Sequence, residues 1–170
     1  MALFLIGNGP MQTTAAFATV TTGTAIKTLL QVKPSATIVA KVVEWGISFD
    51  GSAAATPGKV ELIETDVAAT VTASVANDIT KLDSDALSGG DPTTNLIVVG
   101  TTSTGYTATT EGSITTIRNL AGPQLIAPTS QFIQQFPLGR EPVIQISKFA
   151  RIRVTFGSAV NAYAYMIVSV

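Results

Sequence analysis

Apolar and polar residues alternate along short segments of this chain, and the segments end at turn signals. The clearest is 151–156, where Ile152, Val154 and Phe156 share one side and Arg151, Arg153 and Thr155 share the other. A period of two is that of a β-strand, whose successive side chains point to opposite faces. We count about nine such segments and find no helical apolar stripe. The pattern predicts an all-β fold, a single antiparallel β-sandwich of jelly-roll type over residues 13–170.

The segment 37–49 has the strongest strand character. One of its side-chain rows holds Val39, Val43, Trp45, Ile47 and Phe49. Lys41 interrupts this row, which predicts a β-bulge or an exposed strand end at that point. A turn at Asp50-Gly51 then leads to 59–66, where Val60 and Leu62 point inward and Lys59 and Glu61 outward, so we expect a hairpin.

Charged residues are scarce, at 12% of the chain, whereas soluble domains average about 25%. Because 46% of residues are hydrophobic, we expect much of each copy's surface to be covered by other protein. The longest apolar runs are far shorter than the roughly 20 residues of a spanning helix, so no membrane partner is expected. A net charge of −1 gives no general attraction to nucleic acid either.

Both ends of the chain are apolar. Leu3, Phe4, Leu5 and Ile6 lie in residues 1–12, which we interpret as an N-terminal arm that docks on a neighbouring subunit. The last segment, 162–170, is apolar without polar alternation, which is typical of a strand covered on both faces. We therefore expect an interface formed by the arm, by Tyr163 and Tyr165, and by Arg151 and Arg153 paired with acids of this or another copy.

The chain has no histidine and no cysteine, which removes the commonest general base, metal ligand and thiol nucleophile together. Glu44, Glu61 and Glu64 are the candidates for a carboxylate pair of the kind that hydrolyses glycosides, but Glu44 and Glu61 fall on outward positions, where a solvated charge is expected. No phosphate-binding glycine motif occurs. We expect no enzyme, no catalytic residue and no cofactor.

The polar loop from Asp83 to Asp91 opens with Asp83-Ser84-Asp85, like a calcium-binding loop. Leu87 occupies the third ligand position and Thr94 the closing glutamate position of such a loop. Acids held in turns by their own side-chain hydrogen bonds are the simpler interpretation. A weak calcium site stays open.

The closing segment runs Arg151-Ile-Arg-Val-Thr-Phe-Gly, then Tyr163-Ala-Tyr-Met-Ile-Val-Ser-Val170. Together with the thiol-free, charge-poor, Thr- and Val-rich character of the chain, it resembles virion proteins of tailed bacteriophages, in particular jelly-roll capsid decoration (cement) proteins. The resemblance implies a homotrimer on the outer capsid surface that clamps adjacent major capsid subunits.

Two other functions are compatible with the same sequence. One is a tail, baseplate or fibre subunit, which differs only in its place in the virion. The other is a carbohydrate- or receptor-binding β-sandwich module, for which Tyr106, Tyr163 and Tyr165 are the available aromatic residues.

Overall fold

The computed structural model describes residues 2–10, 18–51, 56–83, 96–113 and 116–170. Within them the chain is all-β with almost no helix, apart from a 3-10 turn at Ala76–Asp78. The strands are β1 (Leu3–Gly7), β2 (Val20–Thr21), β3 (Ile26–Val32), β4 (Ala40–Asp50), β5 (Gly58–Thr65), β6 (Thr70–Ala73), β7 (Ile79–Lys81), β8 (Gly105–Thr110), β9 (Thr116–Asn119), β10 (Gln124–Ile126), β11 (Gln131–Gln135), β12 (Val143–Ile144), β13 (Phe149–Thr155) and β14 (Asn161–Ser169).

The strands form two antiparallel sheets of seven strands each. Sheet A has the order β11-β4-β14-β1-β7, with β12 also beside β4 and β2 beside β14. Sheet B has the order β10-β5-β13-β3-β8-β6, with β9 also beside β5. The predicted all-β, antiparallel sandwich is confirmed. The described residues hold fourteen strands where we predicted about nine, because six of them are only two to four residues long.

The core lies between the sheets and is built from one side-chain row of each central strand. In β13 the row of Ile152 and Val154, continued by Phe156, is buried as predicted. It meets Trp45, Ile47 and Phe49 of β4 in the same cluster, where the Phe49 and Phe156 ring centroids are 4.9 Å apart. Full burial of a large apolar side chain contributes about 1.5–3 kcal/mol.

A β-bulge re-aims the side chains of β4. Val168 of β14 pairs with Val42 and Ile167 pairs with Glu44, so Val43 is the extra residue. Ala40 and Val42 therefore point inward before the bulge, and Trp45 after it. The predicted bulge is confirmed two residues beyond Lys41, but Val39 is 42% exposed and lies outside the core row.

The predicted hairpin between 37–49 and 59–66 is wrong. Strand β4 lies in sheet A and β5 in sheet B, so the chain crosses from one sheet to the other between Asp50 and Gly58, a connection that we call an arch. The connection from β13 to β14 is a second arch. Tight two-residue turns keep strands in one sheet, whereas these longer connections cross the roughly 10 Å between layers.

The N-terminal segment is a strand of this sandwich, which corrects the arm expected over residues 1–12. Strand β1 pairs with β14 on one side and with β7 on the other. Phe4 and Ile6 have no exposed surface. The alternation of Leu3 to Ile6 gives the segment an inner row, and the edge of β14 satisfies its backbone. The predicted domain boundary at residue 12 falls within 11–17, outside the described residues.

Gly58→Ala tests the packing of the two layers. A Cβ at Gly58 would lie 2.5 Å from three ring atoms of Phe156, whose ring is already held by Phe49. Overpacking of this kind costs about 1–3 kcal/mol, so urea denaturation should show a lower midpoint.

Gly157→Ala is the matched control, since nothing lies within 4 Å of its Cβ position. It should leave the midpoint unchanged or raise it slightly. Equal midpoints for the two variants would contradict the close contact.

Candidate functional site

The outer face of sheet A gathers four of the eight predicted interface residues. Leu3 and Leu5 of β1 lie on the opposite side from the buried Phe4 and Ile6 and are partly exposed. Tyr163 and Tyr165 of β14 are likewise partly exposed, while alternate residues of that strand are buried. The face is continuous, because Leu5 pairs with Ile167 and Gly7 with Tyr165.

Glycines allow the two tyrosine rings to pack flat against this face. Tyr165 stands in one cross-strand row between Gly46 and Gly7. A Cβ at Gly46 would lie 2.5 Å from Tyr165 Cε1, and one at Gly7 would lie 3.0 Å from the Tyr163 hydroxyl oxygen. The ring planes are 24° apart with centroids separated by 6.1 Å. The rings of Tyr163 and Tyr165 therefore cover this part of the face with a flat aromatic surface, which we call the tyrosine pavement.

The carboxylate of Glu44 holds the ring of Tyr165 in the tyrosine pavement. The Tyr165 hydroxyl donates a hydrogen bond to Glu44 Oε1 at 2.6 Å. Burial raises the pKa of Tyr165 well above its ordinary value, and the hydrogen bond and the negative charge of Glu44 raise it further. Burial also raises the pKa of Tyr163. Glu44 is therefore a partner of Tyr165, where we had expected a solvated charge.

The remainder of the face carries aliphatic side chains beside polar ones such as Lys41, which shares a cross-strand row with Leu3. Ile167 lies between Glu44 and Leu5 in one row, and Ile133 of β11, 55% exposed, lies across Gly46 from Tyr165. Leu82, 45% exposed, follows β7 and donates its N–H to the Leu3 carbonyl. The sequence prediction missed Ile133, Ile167 and Leu82 as individual surface residues. For Ile167, the shared parity with Tyr165 was the available signal.

Phe4 and Ile6 do not belong to this surface, which corrects their prediction as interface residues. Both point into the core with no exposed area. Alternation along β1 sends neighbouring side chains to opposite faces, so a strand of the sheet offers only half of its residues to a partner.

The expected pairing of Arg151 and Arg153 with acids is confirmed, but neither arginine lies on an exposed interface. They point away from the core on sheet B, yet Arg151 is 0% and Arg153 7% exposed. Arg151 Nη1 lies 3.6 Å from Glu111 Oε2, and Arg153 Nε donates to Glu61 Oε1 at 2.7 Å. Burial lowers the pKa of the Arg151 guanidinium, and the charge of Glu111 opposes this shift. The acids that pair with both arginines belong to the same chain.

The chain itself covers this side of sheet B. Gln31, fully buried beside Arg151, donates to the Ser103 carbonyl at 2.6 Å and accepts the Ala69 N–H at 2.8 Å. Arg151 donates to the Val67 carbonyl. Glu111 accepts hydrogen bonds from the Thr28 N–H and hydroxyl. Segments next to β6 and β8 are thereby held over Arg151 and exclude a partner from it.

The remaining acids do not converge on one point. Glu61 and Glu64 fall on opposite faces of β5, and Glu64 accepts hydrogen bonds from Arg118 and from the Gln145 N–H. Asp83 accepts the Leu3 N–H at the start of β1. Among the described residues no group of three His, Cys, Asp or Glu side chains could hold a metal ion. Residues 84–95 lie outside the described ranges, so the calcium loop stays a prediction.

Alkaline titration tests the tyrosine pavement. All three tyrosines have a raised pKa, so tyrosinate absorbance should develop above the ordinary value near 10. A raised pKa favours the protonated phenol in the folded state. Its stabilising contribution is therefore complete below pH about 10 and is lost as the pH rises through the folded-state pKa.

Glu44→Gln should lower the pKa of Tyr165, because the carboxylate acceptor and its charge are removed while the burial remains. A background of Tyr106→Phe and Tyr163→Phe isolates the signal. An unchanged titration of Tyr165 would show that Glu44 does not anchor it.

No helix among the described residues has the length and apolar character needed to cross a membrane. Comparisons with protein-family models, with curated proteins and with solved structures gave no match to this chain, so its residues and geometry carry the functional argument.

Proposed function

We propose that this chain is a non-catalytic structural protein of a virion, a capsid decoration (cement) protein that binds major capsid subunits on the outer surface of a phage head. The observation that carries the proposal is the outer face of sheet A, where Leu3, Leu5, Tyr163, Tyr165 and Ile167 form one continuous uncharged surface, bordered by Lys41 and Glu44. Such a surface suits docking against another protein.

The placement of the charges supports the same proposal. Four of the five glutamates, at positions 61, 64, 111 and 141, form ion pairs with basic residues of the same chain. These ion pairs use nine of the 21 charged residues of a chain that has few to begin with. A chain of this kind is suited to a position where other proteins cover part of its surface. On a capsid shell each contact is repeated many times, so weak contacts add up to strong binding.

The jelly-roll type and the trimer are parts of the proposal. The chain crosses between the sheets in two arches, from β4 to β5 and from β13 to β14. In sheet A β4 pairs with β14, and in sheet B β5 pairs with β13. This pairing of two arches supports a jelly-roll arrangement. The homotrimer comes from the resemblance to decoration proteins. A tail, baseplate or fibre subunit is the alternative location for the same kind of surface.

A second candidate, a carbohydrate- or receptor-binding module, is favoured by the tyrosine pavement. Flat aromatic rings stack on the apolar C–H faces of sugars, and Glu44 and Ser48 lie beside the rings as hydrogen-bonding groups. A glycan array with the purified chain separates the candidates. Binding that disappears in Tyr165→Ala would favour the module.

Labelling of particles tests the main proposal. An antibody against the purified chain should label the heads of the phage that encodes it when the particles are viewed in the electron microscope. Label on tails would favour the alternative location, and unlabelled particles would contradict both.

Leu5→Lys tests the docking surface itself. A lysine at the centre of an apolar contact leaves a charge to be desolvated, so cosedimentation with heads that lack the protein should weaken by about tenfold or more. Val75→Lys is the control, because Val75 is 58% exposed and lies outside sheet A. Circular dichroism should be unchanged for both variants. Wild-type binding by Leu5→Lys would exclude this face as the contact.

A further inference from the structure

Strand β11 ends sheet A with an open edge. It pairs with β4 on one side only, and among the described residues none pairs with its other side. The N–H of Phe49 is bonded to the Ser130 carbonyl, and the N–H of Phe136 to the Val43 carbonyl. Backbone groups alternate in direction along an antiparallel strand. The even-numbered residues of β11 therefore bond β4, and the N–H and C=O groups of Gln131, Ile133 and Gln135 point to the open edge.

In the part of the chain that the structure describes, this edge lacks the protection that sheet edges commonly carry. Natural proteins block an open edge with lysine, proline, bulges or a covering segment. Residues 119–139 contain no charged side chain, and the prolines at 128 and 137 flank β11 without entering it. The strand therefore presents an unbroken five-residue template for another strand, with a defined beginning and end.

The side chains of the edge are complementary to themselves. Gln131, Ile133 and Gln135 share the outer face, so the row reads the same in both directions about Ile133. In an antiparallel pair of two β11 strands centred there, Ile133 meets Ile133 of the second copy. Gln131 then meets Gln135, and the amide side chains can hydrogen-bond. A two-fold contact requires this reciprocity.

We propose that β11 binds β11 of a second copy of this chain, antiparallel about a two-fold axis at Ile133, so that sheet A continues from one copy into the next. The 55% exposed Ile133 becomes covered in this contact. The inference goes beyond the proposed function and does not depend on it. If the chain also forms the proposed trimer, the trimer contact uses another surface. The β11 contact then links one trimer to the next.

Cysteine cross-linking tests the register, since the chain has no cysteine of its own. Residues directly opposite have Cα atoms about 5.5 Å apart, within the range of a disulfide. Ile133→Cys should therefore oxidise to a covalent dimer on a non-reducing gel. Gln135→Cys is the matched control, because its two copies would lie about 13 Å apart along the strands. We expect at least about tenfold more dimer from Ile133→Cys.

A mixture of Gln131→Cys and Gln135→Cys chains keeps Ile133 in place. It should give a disulfide between the two different chains, identified by mass spectrometry of the linked peptide, and little within either variant alone. A trimer formed through another surface would not change this result. Absence of the linked peptide, or equal cross-linking at every position, would overturn the proposal.

Gln131→Pro supplies a second test without oxidation. Proline there removes an N–H that points to the open edge and leaves the hydrogen bonds to β4 intact. Native mass spectrometry should show loss of the two-fold contact, whereas Gln131→Thr, which keeps the N–H, should retain it. An unchanged oligomer mass with Gln131→Pro would overturn the proposal.

Discussion

The structure depends on the pairing of two arches. Strand β14 pairs with β4 along its whole length, and β13 pairs with β5 in the other sheet. Each arch places consecutive strands in opposite layers, so the inner rows of all four strands meet in one core. The backbones of β13 and β14 are satisfied on both sides, since β3 and β1 pair with their remaining edges. The strands that flank these four are positioned by this arrangement.

The few charges of the chain are used mainly within it. Arg151 and Glu111 join sheet B to the segments beside β6 and β8, and Glu64 joins β5 to Arg118 and the N–H of Gln145. Removing one partner of a buried pair costs about 3–5 kcal/mol, because it leaves an uncompensated charge. The exterior is correspondingly poor in charge, which is why docking on other proteins is the function we propose.

The two surfaces that we propose for contacts with other chains are of different kinds. The outer face of sheet A offers side chains, with the rings of Tyr163 and Tyr165 in one part and aliphatic residues beside Lys41 and Glu44 in the other. The edge of β11 offers backbone groups and a row that is its own complement. Ile133 belongs to both surfaces, so the two meet at one border of sheet A. The proposed contacts use side-chain docking at the first surface and strand pairing at the second, so one copy can make both at the same time.

Local patterns predicted the strands and much of the core. The alternation of Ile152, Val154 and Phe156 and the break at Lys41 are properties of short segments, and a short segment carries its own period. The hairpin between 37–49 and 59–66, the N-terminal arm and the placement of the two arginines at an interface were wrong for a common reason. Each depends on which strand lies beside another, or on what covers a face, and these are contacts between distant residues. Arg151 is buried because Val67, Ser103 and Glu111 fold over its side of sheet B, and no period within β13 contains that information.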